Sequence, residues 1–215
     1  MHNTQVERRI LHSAGRVEPN LEILATDNYQ EYERFVASHP AGGITQSTLW
    51  HGVKDNWRHE VVVSRNTDGT IAGGVSVLIR PLPPFGTTMM YAPRGPVCDW
   101  HDEVVMLDLQ LGINHLAKKH RAHMFKIDPE VMHDDTRFIS LLERMGYGRF
   151  YGPEGFETIQ ARLNYRLYLN GQDEESLMAD LTQQTRRNIR LARDKHGVEI
   201  RACGKEALAD FMPVL

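Results

Sequence analysis

Two segments far apart in the chain carry its densest chemistry. The first, Tyr91-Ala-Pro-Arg-Gly-Pro-Val-Cys-Asp99, is a turn bounded by prolines. Proline fixes φ and glycine admits backbone angles that other residues avoid, so this turn holds Arg94 and the neighbouring amides in one place. The second, residues 185–197, sets Arg186, Arg187, Arg190, Arg193 and Lys195 on a helix-like run closed by Gly197. Positions three and four apart share a helix face, so Arg186, Arg187 and Arg190 present their guanidinium groups together. Guanidinium forks suit phosphate oxygens, and a stiff turn that presents an arginine suits an anion. The pattern points to phosphorylated ligands. Each feature has a plainer reading: Arg94 can hold its turn through a buried ion pair, and the helical arginines can form a solvated face paired with Asp180 and Asp194.

Composition narrows the classes. The chain has 215 residues, of which 41% are hydrophobic and 25% charged, as in an ordinary soluble globular protein. A formal net charge of -3 excludes a general polyanion binder, so any contact with a polyanion must be local. Residues 1–18 are polar and lack the apolar core of a secretory signal. The apolar stretches 60–64 and 71–79 have strand length, too short to span a bilayer. Two cysteines, Cys98 and Cys203, form no spaced motif and fit a reducing compartment, so the protein reads as soluble and cytoplasmic. His115, His120 and His123 cross a helix-to-strand junction without a fourth ligand nearby, which argues against zinc. Cys98 and His101 are neighbours in a turn and make a poor nucleophile and base pair. Gly73-Gly74 sits mid-strand, and no Walker or dinucleotide fingerprint occurs. No cofactor and no metal are expected.

The elements that must position these residues alternate between strand and helix. Residues 21–25 read as a short strand, followed by a helix from Asp27 to His39 with Tyr32, Phe35 and Val36 on one face. A shorter helix spans 45–54. Residues 60–64 and 70–80 read as a hairpin closed at Asp68-Gly69, with Val61-Val62-Val63 buried on both faces. A strand at 87–91, a helix at 101–120, a strand at 124–127 and a helix at 136–145 follow. Further on come a long strand at 158–169, one long polar helix at 174–196, a strand at 198–202 and a helix from 205 to 214. Leu21-Glu-Ile-Leu-Ala25 and its helix are mirrored by Val198-Glu-Ile-Arg-Ala202 and the helix after it. A strand and one helix cannot bury an apolar face alone, so this repeat reads as the opening of a second, incomplete domain. The alternative is a C-terminal decoration on one domain.

Several motifs together resemble the FemABX peptidyltransferases, bacterial enzymes that use aminoacyl-tRNA to extend the peptidoglycan stem peptide. These are Thr45-Gln-Ser-Thr-Leu-Trp50 with Val53-Lys-Asp-Asn-Trp57, Tyr91-Ala-Pro-Arg-Gly-Pro-Val97 with Asp99, Phe125-Lys-Ile-Asp-Pro-Glu130, Thr158-Ile-Gln-Ala-Arg-Leu-Asn164, and the basic helix closing in Gly197-Val-Glu-Ile200. The resemblance runs from about Leu21 to the end of the chain. It implies an α/β fold of two tandem GNAT-like domains. On this reading residues 1–17 are a polar tail, 18–163 the first domain, and 164–215 the connecting strand, basic helix and start of the second. Family groups in the remainder of that second domain have no counterpart here, so this chain is expected to be weakly active or inactive alone.

The resemblance also implies roles. Lys54 aligns with a family lysine that meets a pyrophosphate; otherwise it is a solvated lysine on a helix flank. Asp128 aligns with a cleft aspartate that accepts a proton from, or orients, the attacking amine; otherwise it shapes the turn before Pro129. Tyr91 and Arg94 join Lys54 as substrate-binding candidates, and Arg186, Arg187 and Arg190 as contacts to tRNA phosphates. His123 stands where the family often has tyrosine. The implied partners are aminoacyl-tRNA and either UDP-MurNAc-pentapeptide or lipid II, with peripheral contact to a membrane-bound precursor in the second case. An aminoacyl ester is already activated, so the reaction needs positioning and oxyanion stabilisation but no metal or enzyme nucleophile. Two alternatives share the fold: an acetyl-CoA-dependent GNAT N-acetyltransferase, whose Gln/Arg-x-x-Gly-x-Gly/Ala loop is absent from the sequence, and a fragment that binds precursor without turning it over.

Overall fold

The computed structural model describes residues 4–13, 15–16, 18–54, 56–84, 86–149 and 167–214. The chain divides into two compact units, Met1–Arg162 and Leu163–Leu215.

In the first unit five strands form one sheet in chain order: β1 (Leu21–Ile23), β2 (Arg58–Arg65), β3 (Ile71–Leu82), β4 (Thr87–Ala92) and β5 (Ala122–Ile127). The first three junctions are antiparallel, and β4 with β5 is parallel. The β2–β3 hairpin closes where Asp-Gly predicts it. Gly69 takes φ 87, and the Asp68 carboxylate accepts from the Thr70 N–H at 2.9 Å. A parallel pair needs a crossover, supplied by helix α4 (Glu103–Lys119). Asp102 caps that helix, accepting from the N–H groups of Val104 and Val105.

Helices cover both faces. On one, Val105, Met106, Leu109, Ile113 and Leu116 of α4 pack on Val62, Val75, Val77, Ile79 and Met90, with Phe138 and Leu141 of helix α5 (Thr136–Arg144). On the other, Tyr32 and Val36 of helix α2 (Tyr29–Ser38) meet Val61, Val63 and Val97. The valine run is buried on both faces as expected, Val62 pointing one way and its neighbours the other. Gly73 and Gly74 let the helices come close. A Cβ at Gly73 would collide with Val105, and one at Gly74 would lie 2.6 Å from the Tyr32 ring.

The structure corrects several expectations. The segment read as a polar tail contains a helix, α1 (Thr4–Ser13), whose Ile10 and Leu11 are buried in the α4-side core. Just beyond it, Arg16 pairs at 3.0 Å with the buried carboxylate of Asp108, which also accepts from Ser64 Oγ at 2.7 Å. The helix expected at 45–54 is a 3-10 turn, Ile44–Gln46, followed by α3 (Leu49–Val53), because the polar side chains between them are committed elsewhere. The single helix at 174–196 is two: α6 (Glu174–Asp180) and α7 (Gln183–Arg190), the latter running into a π-helical turn, Leu191–Lys195. Leu181 is extended between them, and Thr182 starts α7 by accepting from the Thr185 N–H. Residues 198–202 form no strand. Val198 is 55% and Ile200 97% exposed, and the second unit contains no other strand among the described residues to pair with. After a 3-10 turn, Lys205–Ala207, comes the short helix α8 (Leu208–Phe211). The strand expected at 158–169 lies mostly outside the described residues, and 167–169 are not in a strand.

One titration reports on the α2 side of the sheet. His59 of β2 stacks on His51 with centroids 5.2 Å apart and hydrogen-bonds Ser76 Oγ at 2.7 Å. Burial first, then the His51 charge, pushes His59 down to about 4, against the pull of Glu33 and Glu60. Its folded value lies below the ordinary one, so the unfolded chain takes up this proton first as pH falls. The contribution is therefore intact above about pH 6.5 and is lost as pH drops towards 4. On the order of 2–3 kcal/mol should disappear across that window. Urea unfolding of His59→Asn should show a flatter pH dependence than the parent; an identical slope would discount the burial argument.

Candidate functional site

The site is built around a gap in the sheet. On the β4 side of β3, Gly74 and Val97 exchange two hydrogen bonds of 2.9 Å, and Leu78 is in register with Tyr91. Between these points the chain leaves the ladder as the Pro93-Arg94-Gly95-Pro96 turn. On this side Ser76, paired with Val61 of β2 on the other, would be left without a strand neighbour. Gln46 takes that place with its side-chain amide. Its Oε1 accepts from the Ser76 N–H at 2.9 Å, and its Nε2 donates to the Ser76 carbonyl at 3.2 Å. The same Nε2 donates to the Pro93 carbonyl at 2.9 Å, and Thr45 Oγ1 donates to that oxygen at 3.2 Å. Gln46 is fully buried, so these bonds form away from water. Gly95 lies flat on the amide, where a Cβ would stand 2.7 Å from its carbon.

The next two residues anchor the motif to α2. Ser47 Oγ donates to Glu33 at 2.7 Å, and Thr48 donates to it through its N–H at 2.5 Å and Oγ1 at 2.6 Å. Partial burial pushes the Glu33 carboxyl up, but the bonds from Thr48 and Ser47 together hold it below the ordinary value. All four residues of Thr45-Gln-Ser-Thr48 are thus engaged with the turn or with α2.

The turn presents backbone as well as side chain. Arg94 occupies the left-handed region at φ 55, and its N–H donates to Asp128 Oδ1 at 2.7 Å. Tyr91 donates its hydroxyl to Asp128 Oδ2 at 2.8 Å. Tyr91 is buried, while Asp128 is half-buried just past the end of β5. Both carboxylate oxygens are therefore fixed from the neighbouring strand. The cluster sits at the carboxyl ends of the parallel pair, where open α/β sheets place ligand crevices. Lys126 is in register with Tyr91 and two residues before Asp128, so it shares their face. Among the described residues, β5 and α5 border a cavity of about 700 Å³ whose lining includes Lys126 and Asp128.

Three of the residues singled out from sequence therefore meet: Tyr91, Arg94 and Asp128. Lys54 stands apart at the end of α3, its Nζ 5.6 Å above the Trp50 ring. In the second unit Arg186 does local work, one Nη donating to the carbonyls of Met178, Ala179 and Leu181 at 3.2, 2.9 and 2.6 Å. It satisfies the open end of α6. Arg187 and Arg190 are exposed and border a concavity with Gln183 and Lys195. Of the acidic residues considered as their partners, Asp194 pairs with Arg193 at 2.8 Å and also feels the Arg190 charge, whereas Asp180 accepts from Gln172 at 3.2 Å. His123 is exposed on β5. Cys98 is buried, and burial pushes its thiol up, which suits a core residue and not a nucleophile. Sequence reasoning missed Gln46 as the tie and Lys126 as a neighbour of the site. Strand periodicity could have found Lys126.

Fold and site define a mixed α/β protein with a pinned carboxylate at a strand-end crevice. A family model described as the FemAB family matches residues 27–215, and the chain belongs to that family. It is 29% identical over 192 residues to a lipid II:glycine glycyltransferase of Staphylococcus aureus, covering 86% of this chain and 45% of the relative. A lipid II:glycine glycyltransferase from the bovine RF122 / ET3-1 strain of that species is 30% identical over the same shares. The crystal structure of FemX superposes with a TM-score of 0.77 at 26% identity, covering 88% of this chain and 48% of that one. The chain thus spans about half the length of the curated relatives it matches.

The Tyr91–Asp128 bond can be weighed by a double-mutant cycle. Tyr91→Phe, Asp128→Ala and the double variant should give a coupling of about 1–2 kcal/mol in urea unfolding. A coupling near zero would show that the carboxylate is positioned without Tyr91.

Proposed function

We propose that this chain is the acceptor-binding part of an aminoacyltransferase that moves an amino acid from aminoacyl-tRNA to the stem peptide of a peptidoglycan precursor. The observation that carries the reading is the Asp128 carboxylate held by Tyr91 and Arg94 in a chain of the FemAB family. The Staphylococcus relatives, named for transfer of glycine on lipid II, support a precursor with a pyrophosphate-linked sugar. The protein would work from the cytoplasm on a membrane-borne precursor; among the described residues no helix is long and apolar enough to cross a membrane.

The chemistry asks little of the enzyme beyond placement. The acceptor amine attacks the ester carbonyl, the new C–N bond forms, and the C–O bond to the ribose breaks. The amine proton leaves with the ribose oxygen, so atoms and charge balance without a cofactor. Asp128, with one donor fixed on each oxygen, has lone pairs left to accept an N–H of the amine and aim its nitrogen. Lys54, a point charge at the end of a short helix, would meet the pyrophosphate. Arg187 and Arg190 would meet tRNA phosphates, whereas Arg186 contributes by fixing the helix that carries them.

Calorimetric titration with UDP-N-acetylmuramyl-pentapeptide tests the acceptor half directly. Lys54→Ala should weaken binding by about 1–3 kcal/mol, the range for a lost charged contact. Equal affinity for parent and variant would remove Lys54 from the site, and the absence of binding to a folded parent would contradict the reading of this chain as the acceptor half.

A further inference from the structure

The 3-10 turn and α3 carry three large aliphatic side chains that the other described residues leave uncovered. Ile44 is 63%, Leu49 71% and Val53 65% exposed. Leu49 and Val53 are one turn apart on one helix face, and the turn holding Ile44 packs against that helix. Solvated helices of this length do not usually spend their outward positions on leucine and valine, and clustered exposure of this kind marks an interaction surface.

What borders these residues identifies the occupant. Lys54 follows Val53 directly and lies over the Trp50 ring; Trp57 comes three residues later with Arg80 5.6 Å above its ring. Arg58 opens β2 beside that turn, and both it and Arg80 are exposed. Aliphatic tips, half-buried indoles and a rim of cations make the residue pattern of a protein that rests in the headgroup layer of an anionic bilayer. Tryptophan favours that boundary, and each cation near it gains from an acidic leaflet. Of the acidic side chains described close by, Glu33 is bonded to Ser47 and Thr48, and Glu60 to Lys119 and His120; Asp55, next to Lys54 in the sequence, lies outside the described residues.

We propose that Ile44, Leu49 and Val53 form a membrane-docking face, which enters the surface of an anionic bilayer while Arg58 and Arg80 meet its phosphates. The proposal deepens the function above and rests on the reading that the acceptor is lipid-linked. With its aliphatic tips in the membrane, α3 would hold Lys54 at headgroup depth, where a lipid-borne pyrophosphate emerges. The face then serves to deliver the site to its substrate.

Flotation of the 215-residue chain with vesicles of phosphatidylglycerol and phosphatidylcholine, or of phosphatidylcholine alone, tests this without any precursor. The chain should float with the anionic vesicles, lose binding as salt rises, and shift its tryptophan emission to the blue. The triple variant Ile44→Ser, Leu49→Ser, Val53→Ser should lose at least ~tenfold in partitioning with an unchanged circular dichroism spectrum, since the three side chains are exposed. Arg58→Glu with Arg80→Glu should weaken binding to anionic vesicles alone. A folded parent that stays with neither vesicle, or a triple variant that floats as well as the parent, would overturn the proposal. A parent that sediments as a dimer which the triple variant breaks, without vesicle binding, would assign the face to a second copy and overturn it too. Titration with the soluble nucleotide-linked peptide reports on the acceptor site separately: its failure with flotation intact would remove the proposed function and leave the docking face standing.

Discussion

Everything at the candidate site depends on one buried amide. Where β4 breaks away from β3 to make its turn, Ser76 loses a strand neighbour, and Gln46 supplies a peptide-like group in its place. Without that amide the Ser76 N–H and C=O would be buried and unpaired, at roughly 1–3 kcal/mol each. Against a total folding stability of about 5–15 kcal/mol, that is a large penalty. The same amide reaches across to Pro93 and so fixes where the turn begins. The left-handed Arg94 and the hydrogen bonds to Asp128 are consequences of that fixed start.

The arrangement explains why two motifs distant in sequence act together. The Thr45–Thr48 stretch is bonded to α2 through Glu33 and to the turn through Thr45 and Gln46, and the turn is bonded to β5 through Asp128. The helices on either face of the sheet can press close because β3 carries glycine at both contact points. α3 continues directly from this anchored stretch. Lys54 and the apolar tips therefore follow directly on a stretch bonded to the same turn that holds Asp128. In the second unit a comparable economy appears: Arg186 closes one helix, while Arg187 and Arg190 on the next face outward.

Much of this was legible in the sequence because it follows local rules. The Asp68-Gly69 hairpin and the doubly buried valines each need only a few neighbouring residues to specify them. Tyr91, Arg94 and Asp128 stood out through the stiffness of their turn and through family resemblance, and the structure joins them. Gln46 did not stand out, because its role depends on a gap between β3 and β4 contributed by residues thirty and more positions away. The helix at Ile10 and Leu11 was hidden by the polar residues around it, since two apolar positions acquire meaning only from the core they enter. The break at Leu181 was missed because helical periodicity continues across it, whereas the Thr182 cap and the Arg186 guanidinium favour a new start. Val198 and Ile200 alternate like a strand, but a strand exists only with a partner.

The most direct measurement is amide hydrogen exchange, residue by residue, in the parent and in Gln46→Leu, which keeps the volume of the side chain and removes its amide. Exchange protection at Arg94 should fall by ~tenfold or more while the amides of α4 keep theirs, because the turn would lose its tie while the opposite face of the sheet stays packed. Unchanged protection at Arg94 in a folded variant would contradict the claim that Gln46 holds the turn against Asp128.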